Sequence, residues 1–251
     1  VPIKPNNTLN VAIAALLGLM FGVFLVYFLE MLDRTVKTDR DVTRHLAIST
    51  IGEIPFFEGE TRRKDKGLAR IFQGSKKRKK GIGEGDTSKS LISLLDPKAP
   101  ASEAYRSLRT NIGYSSVDKQ VRTIVVTSSG PEEGKSTTVV NLAISLAQVD
   151  KKVLVIDADL RKSKLHRYFS LLNDCGITDI VIDKKEIEDV IKKVEGIDNL
   201  YVICSGALPP NPTVILESKK MMELLEKVSK DFDFFLIDTP PVGQLTDAAI
   251  L

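Results

Sequence analysis

The stretch Val126–Val139, VTSSGPEEGKSTTV, decides how the rest of the chain is read. It follows the apolar run TIVV and leads into KSTTVVNLAISLAQ, which has helical period. Strand, tight turn and helix form the context in which the pattern G-x-x-x-x-G-K-[ST] carries a mechanism. Amide N–H groups of such a turn and of the helix N-terminus converge where an anion can be held. One position departs from the pattern: Ser129 stands where the first Gly is expected. Ser is small and suits a loop. Ser129, Gly130, Pro131, Glu132, Glu133, Gly134, Lys135, Ser136 and Thr137 are therefore read as a nucleotide-phosphate loop. Lys135 would reach the β and γ oxygens of ATP. Ser136, with Thr137 beside it, is placed to hold Mg²⁺.

A magnesium–phosphate site also needs carboxylates at strand ends. Two further apolar runs end in Asp, at VLVIDADLRK and FFLIDTPP. Asp238 closes the second and is expected to hold Mg²⁺ directly or through a water. Asp157 and Asp159 close the first. Two positions apart on an extended chain, they point the same way. One could then approach the metal while the other accepts a proton. A lone strand-end Asp is usually a turn former; two such strands beside the loop favour the site reading.

The wider pattern agrees. Strands are expected at 123–128, 152–158, 200–205 and 234–239, with helices at 101–114, 135–148, 185–194 and 212–230. Strand–helix alternation with nearly continuous apolar strands predicts an α/β fold. Its mostly parallel sheet would carry helices on both faces, in the manner of P-loop NTPases. Hydrophobic residues make up 43% of the chain, enough for a sizeable core, and the net charge is only +3. Cys175 and Cys204 stand in unrelated contexts, so neither a disulfide framework nor a zinc site is expected.

Ahead of this domain lies Leu9–Leu29, LNVAIAALLGLMFGVFLVYFL, uncharged throughout. As a helix it would span about 31 Å, the thickness of a bilayer core. It is apolar all round, which favours a membrane span over a buried soluble helix. Acidic Glu30 and Asp33 follow it rather than a cleavage site, which argues against a signal peptide. Arg34, Lys37, Arg40 and Arg44 on its C-terminal side, against Lys4 on the other, place that side in the cytoplasm. Ala14, Gly18 and Gly22 form a stripe of small residues that would let two such helices approach closely, or reflect ordinary glycine usage.

The organisation expected is a flank at 1–8, a transmembrane helix at 9–29, a juxtamembrane segment at 30–59, a flexible basic linker at 60–95 and a nucleotide domain at 96–251. The run Lys76–Lys80 in the linker reads as a tether with attraction to anionic lipid; no nucleic-acid partner is expected. The chain begins with Val1 rather than Met and is read as a piece of a longer or engineered protein.

Together these motifs resemble a known family. VTSSGPEEGKSTTVVNLA, VLVIDADLRK and FFLIDTPP are similar to the three nucleotide-site motifs of bacterial tyrosine kinases of capsule and exopolysaccharide biosynthesis. EAYRSLRTN carries the E-x-x-R-x-x-R pattern as Glu103, Arg106 and Arg109, which in that family joins kinase subunits into a ring. At a spacing of three these residues form a stripe along a helix, suited to a neighbour's charges or to an internal Glu–Arg pair. SGALPPNP resembles the family's segment between strand and helix. PIKPNNTLN…FLEMLDRTVKT resembles the last membrane helix of the polysaccharide co-polymerase partner, which in many systems activates the kinase, fused or separate. The resemblance implies a membrane-anchored, ATP- and Mg²⁺-dependent protein-tyrosine autokinase of the bacterial inner membrane, with a cytoplasmic kinase domain. It implies phosphate contact for Lys135, Ser136 and Arg161, help to the acceptor hydroxyl for Asp157, and metal support for Asp159 and Asp238.

Departures are visible too. Ser163 stands where the family often has Pro, so that turn is expected to differ. The family's tyrosine-rich tail and its last strands and helices are not found before Leu251, so a truncated chain is expected. The five tyrosines are dispersed, leaving Tyr105, Tyr114 and Tyr168 as candidate acceptors. The alternatives are a partitioning-type ATPase, whose loop usually carries Lys where this chain has Gly130, and a scaffold that binds ATP without labelling tyrosine.

Overall fold

The computed structural model describes residues 7–32, 41–43, 47–57, 90–115 and 121–242. The chain divides into two compact units, Val1–Thr50 and Ile51–Leu251. Most of the expected linker, including Lys76–Lys80, lies outside the described residues, as do Lys4, Arg34, Lys37, Arg40 and Arg44.

In the first unit, α1 (Asn7–Leu32) is a 26-residue helix with no buried side chain. Its best window has a mean hydropathy of 2.5, and the helix is long and apolar enough to cross a membrane. It outruns the expected 9–29 span because Asn7 and Thr8 on one side and Glu30 to Leu32 on the other continue the helix.

The second unit is built on a sheet of order β1–β5–β2–β4–β3 among the described residues. Its strands are β1 (Thr123–Val126), β2 (Val153–Asp157), β3 (Lys192–Lys193), β4 (Leu200–Ile203) and β5 (Phe234–Asp238). The first four neighbours in that order run parallel; β3 alone is antiparallel. β2 and β5 are buried at every position, as apolar strands covered on both faces must be.

Alternation along the strands sorts the core into two layers. Val153, Val155, Val202 and Leu236 face α3 (Pro100–Tyr114) and α4 (Lys135–Ala147), packing with Tyr105, Val139, Leu142 and Ile144. Leu154, Ile156, Ile203 and Ile237 face the other way, against Ile177 and Ile180 of α6 (Ile177–Val181) and Met221, Leu224 and Val228 of α9 (Lys219–Asp231). Each buried aliphatic side chain contributes roughly 1.5–3 kcal/mol. Short helices complete the fold: α2 (Ile92–Leu95), α5 (Leu165–Tyr168), α7 (Ile187–Val190) and α8 (Pro212–Leu216).

Three expectations are corrected here. The helix expected over 185–194 is the single turn α7 followed by β3, which pairs with Tyr201 and Val202 and reverses at Gly196, φ +76°. The helix expected over 212–230 is two helices, broken where the Ser218 hydroxyl caps α9 by accepting from the Met221 amide at 3.1 Å. The domain reaches back past residue 96. Leu91 is buried, the Ser93 amide donates to Asn141 Oδ1 at 2.9 Å, and Asn141 Nδ2 donates to the Ser90 carbonyl at 2.8 Å. Ile54 and Phe57 also pack against the α3/α4 layer. Buried Asn141 needs partners, and the chain preceding α3 supplies them.

Candidate nucleotide and phosphoryl-transfer site

Parallel pairing puts the carboxyl ends of β1, β5 and β2 side by side. Val126 is level with Asp238, and Asp238 with Asp157. The loop leaves β1 at that edge and enters α4 at Gly134, whose φ of +84° is the left-handed region that Gly alone adopts freely. Beyond Val126 the loop is tied to the end of β5. Thr127 Oγ1 donates to the Pro240 carbonyl at 2.9 Å, and the Val242 amide donates to the Ser128 carbonyl at 3.0 Å.

Inside the loop, Ser129 does more than replace a glycine. Its hydroxyl donates to the Glu133 carboxylate at 2.8 Å, and that carboxyl is held below its ordinary range chiefly by the Gly130 amide. The loop's donors thus already converge on an anionic group of the chain itself. A Cβ on Gly130 would sit 3.1 Å from that carboxylate. Pro131 and Glu132 are exposed at the loop's tip, and Lys135 is half-buried at the start of α4.

Ser136, Asp238 and Asp157 form the centre. Ser136 Oγ donates to Asp238 Oδ2 at 2.5 Å. Asp238 and Asp157 are 1% and 0% exposed, and the Oδ1 atom of each is buried with no partner. Burial pushes Asp157 up to about 6, despite hydrogen bonds from Ser163 and the Leu165 amide. Burial, then the neighbouring Asp157 charge, pushes Asp238 up to about 7, with Ser136 and Lys135 acting in the opposite direction. Two adjacent buried carboxyls with free lone pairs, beside a hydroxyl and an ammonium, suit a hydrated divalent cation shared with phosphate oxygens. Among the described residues no three acidic, His or Cys side chains cluster as a complete metal cage.

Asp159 and Arg161 lie further out. Asp159 is half-buried beyond the end of β2, where its Oδ1 accepts from the Lys162 amide at 3.0 Å. Its charge still raises both Asp157 and Asp238. Arg161 is exposed, and its Nη2 donates to Thr213 Oγ1 at 3.3 Å. The stripe on α3 makes its contacts within this chain. Arg106 pairs with Glu103 and donates to the Pro97 carbonyl at 2.8 Å. Arg109 reaches α4, donating to the Ser145 carbonyl at 2.5 Å and to its hydroxyl at 3.2 Å.

One contact that sequence reasoning missed lies beside this centre. Tyr168 on α5 shares a buried hydrogen bond of 2.9 Å with Thr137 Oγ1. Tyr168 and Tyr105 are therefore occupied core residues rather than accessible acceptors, whereas Tyr114 is 80% exposed. Only the chain's return to the same sheet edge joins residues 137 and 168, so no local pattern announces the pair.

Comparison with known proteins settles the family. Residues 121–251 match the AAA domain family. Tyrosine-protein kinase YwqD of Bacillus subtilis (strain 168) is 44% identical over 163 residues, covering 65% of this chain and 68% of that protein. The chain belongs to the bacterial tyrosine-protein kinases. Tyrosine-protein kinase etk of Escherichia coli (strain K12) is 32% identical over 251 residues, all of this chain but 33% of that protein. The chain thus spans about two thirds of one relative and one third of the other. The kinase domain of the Escherichia coli tyrosine kinase ETK superposes with a TM-score of 0.70 at 30% identity, covering 86% of this chain and 77% of that one. The chimerical protein CapA2B2 gives a TM-score of 0.70 at 33% identity, over 85% and 80% of the two chains. The resemblance seen in the motifs is borne out, as is the P-loop NTPase-type fold of this kinase family.

Proposed function

We propose that the chain binds Mg·ATP at the loop 129–137 and transfers the γ-phosphoryl group to tyrosine hydroxyls of neighbouring subunits. The observation that carries this is the contact of Ser136 with Asp238, flanked by two unpartnered buried carboxylate oxygens at the ends of adjacent strands. Amides of the loop and the Lys135 ammonium bind the phosphates. Ser136 and Asp238 would hold Mg²⁺, with Asp157 and Asp159 adding negative charge beside it. Bound there, Mg²⁺ supplies neutralisation of the phosphate oxygens, the larger part of phosphoryl-transfer catalysis. Asp157 orients the acceptor hydroxyl and takes its proton. Arg161, exposed beyond β2, is assigned to phosphate contact.

The rest of the reading places this activity. α1 anchors the chain in the bacterial inner membrane with the kinase unit on the cytoplasmic side, and the basic run 76–80 is part of a tether with a secondary attraction to anionic lipid. The co-polymerase membrane region, fused or separate, is the partner, and Glu103, Arg106 and Arg109 on α3 join copies into a ring. Phosphorylation in this ring regulates capsular or exopolysaccharide polymerisation and export. In the complete protein, Lys135→Met should abolish ATP-dependent tyrosine labelling with little change in Tm. Equal phosphotyrosine in variant and wild type would leave the ATP-binding scaffold as the better reading.

A further inference from the structure

Asp157 is held on one oxygen only. Ser163 Oγ donates to its Oδ2 at 2.7 Å, and the Leu165 amide donates to the same atom at 3.1 Å. Oδ1 is buried and has no partner. Ser163 in turn lies 3.2 Å from Nδ1 of His166. A hydroxyl has one proton, and here the carboxylate takes it, so the imidazole must donate to Ser163 through Nδ1–H. Burial, then Arg167 and Lys192, lowers the His166 pKa and so favours the neutral ring, in which a proton on Nδ1 leaves Nε2 bare.

We propose that Ser163 and His166 are positioning residues for phosphoryl transfer: the line His166 Nδ1–H, Ser163 Oγ–H, Asp157 Oδ2 pins one carboxylate oxygen and leaves Oδ1 as the one that meets the reacting groups. A carboxyl free to rotate about χ2 presents either oxygen, or neither, at the required angle. Two donors on Oδ2 remove that freedom. The arrangement needs a hydroxyl at position 163, which neither Ala nor Pro provides. Its role in transfer rests on the kinase reading; the hydrogen-bonded line itself does not.

The test uses the detergent-solubilised full chain and its Ser163→Ala and Ser163→Thr variants. His45 and His166 are its two histidines, so ¹⁵N-histidine labelling gives a readable spectrum. Wild type and Ser163→Thr should show His166 protonated at Nδ1, and Ser163→Ala should lose that tautomer. With poly(Glu,Tyr) as acceptor, Ser163→Ala should lower kcat about tenfold, the scale of one charge-assisted hydrogen bond. KM for ATP and calorimetric Mg·ADP affinity should stay within about twofold, and Ser163→Thr should restore kcat. An Nε2–H tautomer in wild type overturns the proposal. So does a wild-type kcat in Ser163→Ala, or a loss of Mg·ADP affinity that matches the loss of rate. If the tautomer is as expected but wild type labels no tyrosine, the kinase reading fails and the hydrogen-bonded line stands.

Discussion

At the residue scale the two buried aspartates tie stability to pH and, through the proposed site, to metal. In the folded domain Asp157 titrates at about 6 and Asp238 at about 7, against an ordinary 3.8. A raised carboxyl favours the folded state fully below its unfolded value, and that advantage fades as pH rises through the folded value. In EDTA, the Tm contribution of this pair should therefore fall between about pH 4 and pH 7. Asp238→Asn should flatten that slope, and added Mg·ADP should raise the Tm most at the alkaline end. A calorimetric pH series checks both; an unchanged slope in Asp238→Asn would mean the proton is held elsewhere. The sequence named both carboxylates, because a strand-end Asp beside a phosphate loop has a chemical reason to be there. It did not show what holds them. The Ser163 hydroxyl lies six residues from Asp157, and the Ser136 contact spans 102 residues. Spacing along the chain says nothing about which side chains a shared sheet edge brings together.

At the scale of elements, the strands were legible and some helices were not. VLVID and FFLID are apolar at successive positions because both faces are buried, whereas TIVV of β1 is only partly covered. Over 185–194, Ile187 and Ile191 sit at helical spacing, yet the pairing of Lys192 and Lys193 with β4 prevails. Cross-strand pairing is a long-range term that no local window contains. A second long-range constraint is the entry to α6. The Gly176 backbone lies so near β4 that a Cβ there would meet the Cys204 carbonyl at 2.1 Å, while the Ile177 amide donates to that same oxygen at 2.9 Å. Gly176→Ala must push two backbones apart and should cost about 3 kcal/mol, lowering Tm by roughly 6–12 °C. Thermal denaturation measures it; a drop below 2 °C would mean the approach relaxes easily.

At the scale of the molecule, the proposed assembly through α3 separates into two measurable parts. Arg106 is bound to its own helix and to Pro97 at the surface, whereas Arg109 ties α3 to the phosphate-loop helix. Arg106→Ala should release oligomers into monomers in sedimentation velocity while leaving the monomer's Tm within about 2 °C, since exposed pairs contribute under about 1 kcal/mol. Arg109→Ala should cost about 1–3 kcal/mol of monomer stability as well. Oligomers that persist in Arg106→Ala would move the interface off this stripe. The sheet order has a consequence for how such a chain is made. β5 lies between β1 and β2, so the first two of the described strands to be synthesised have no direct partner in each other. Among the described strands, the place between β1 and β2 is filled last, by residues 234–238. A nascent chain that has already displayed its phosphate loop still lacks Asp238, the partner of Ser136 in the proposed site. If the proposed site is right, ATP capture should wait until synthesis has passed β5, and a ribosome-stalled fragment ending before it should be nucleotide-blind.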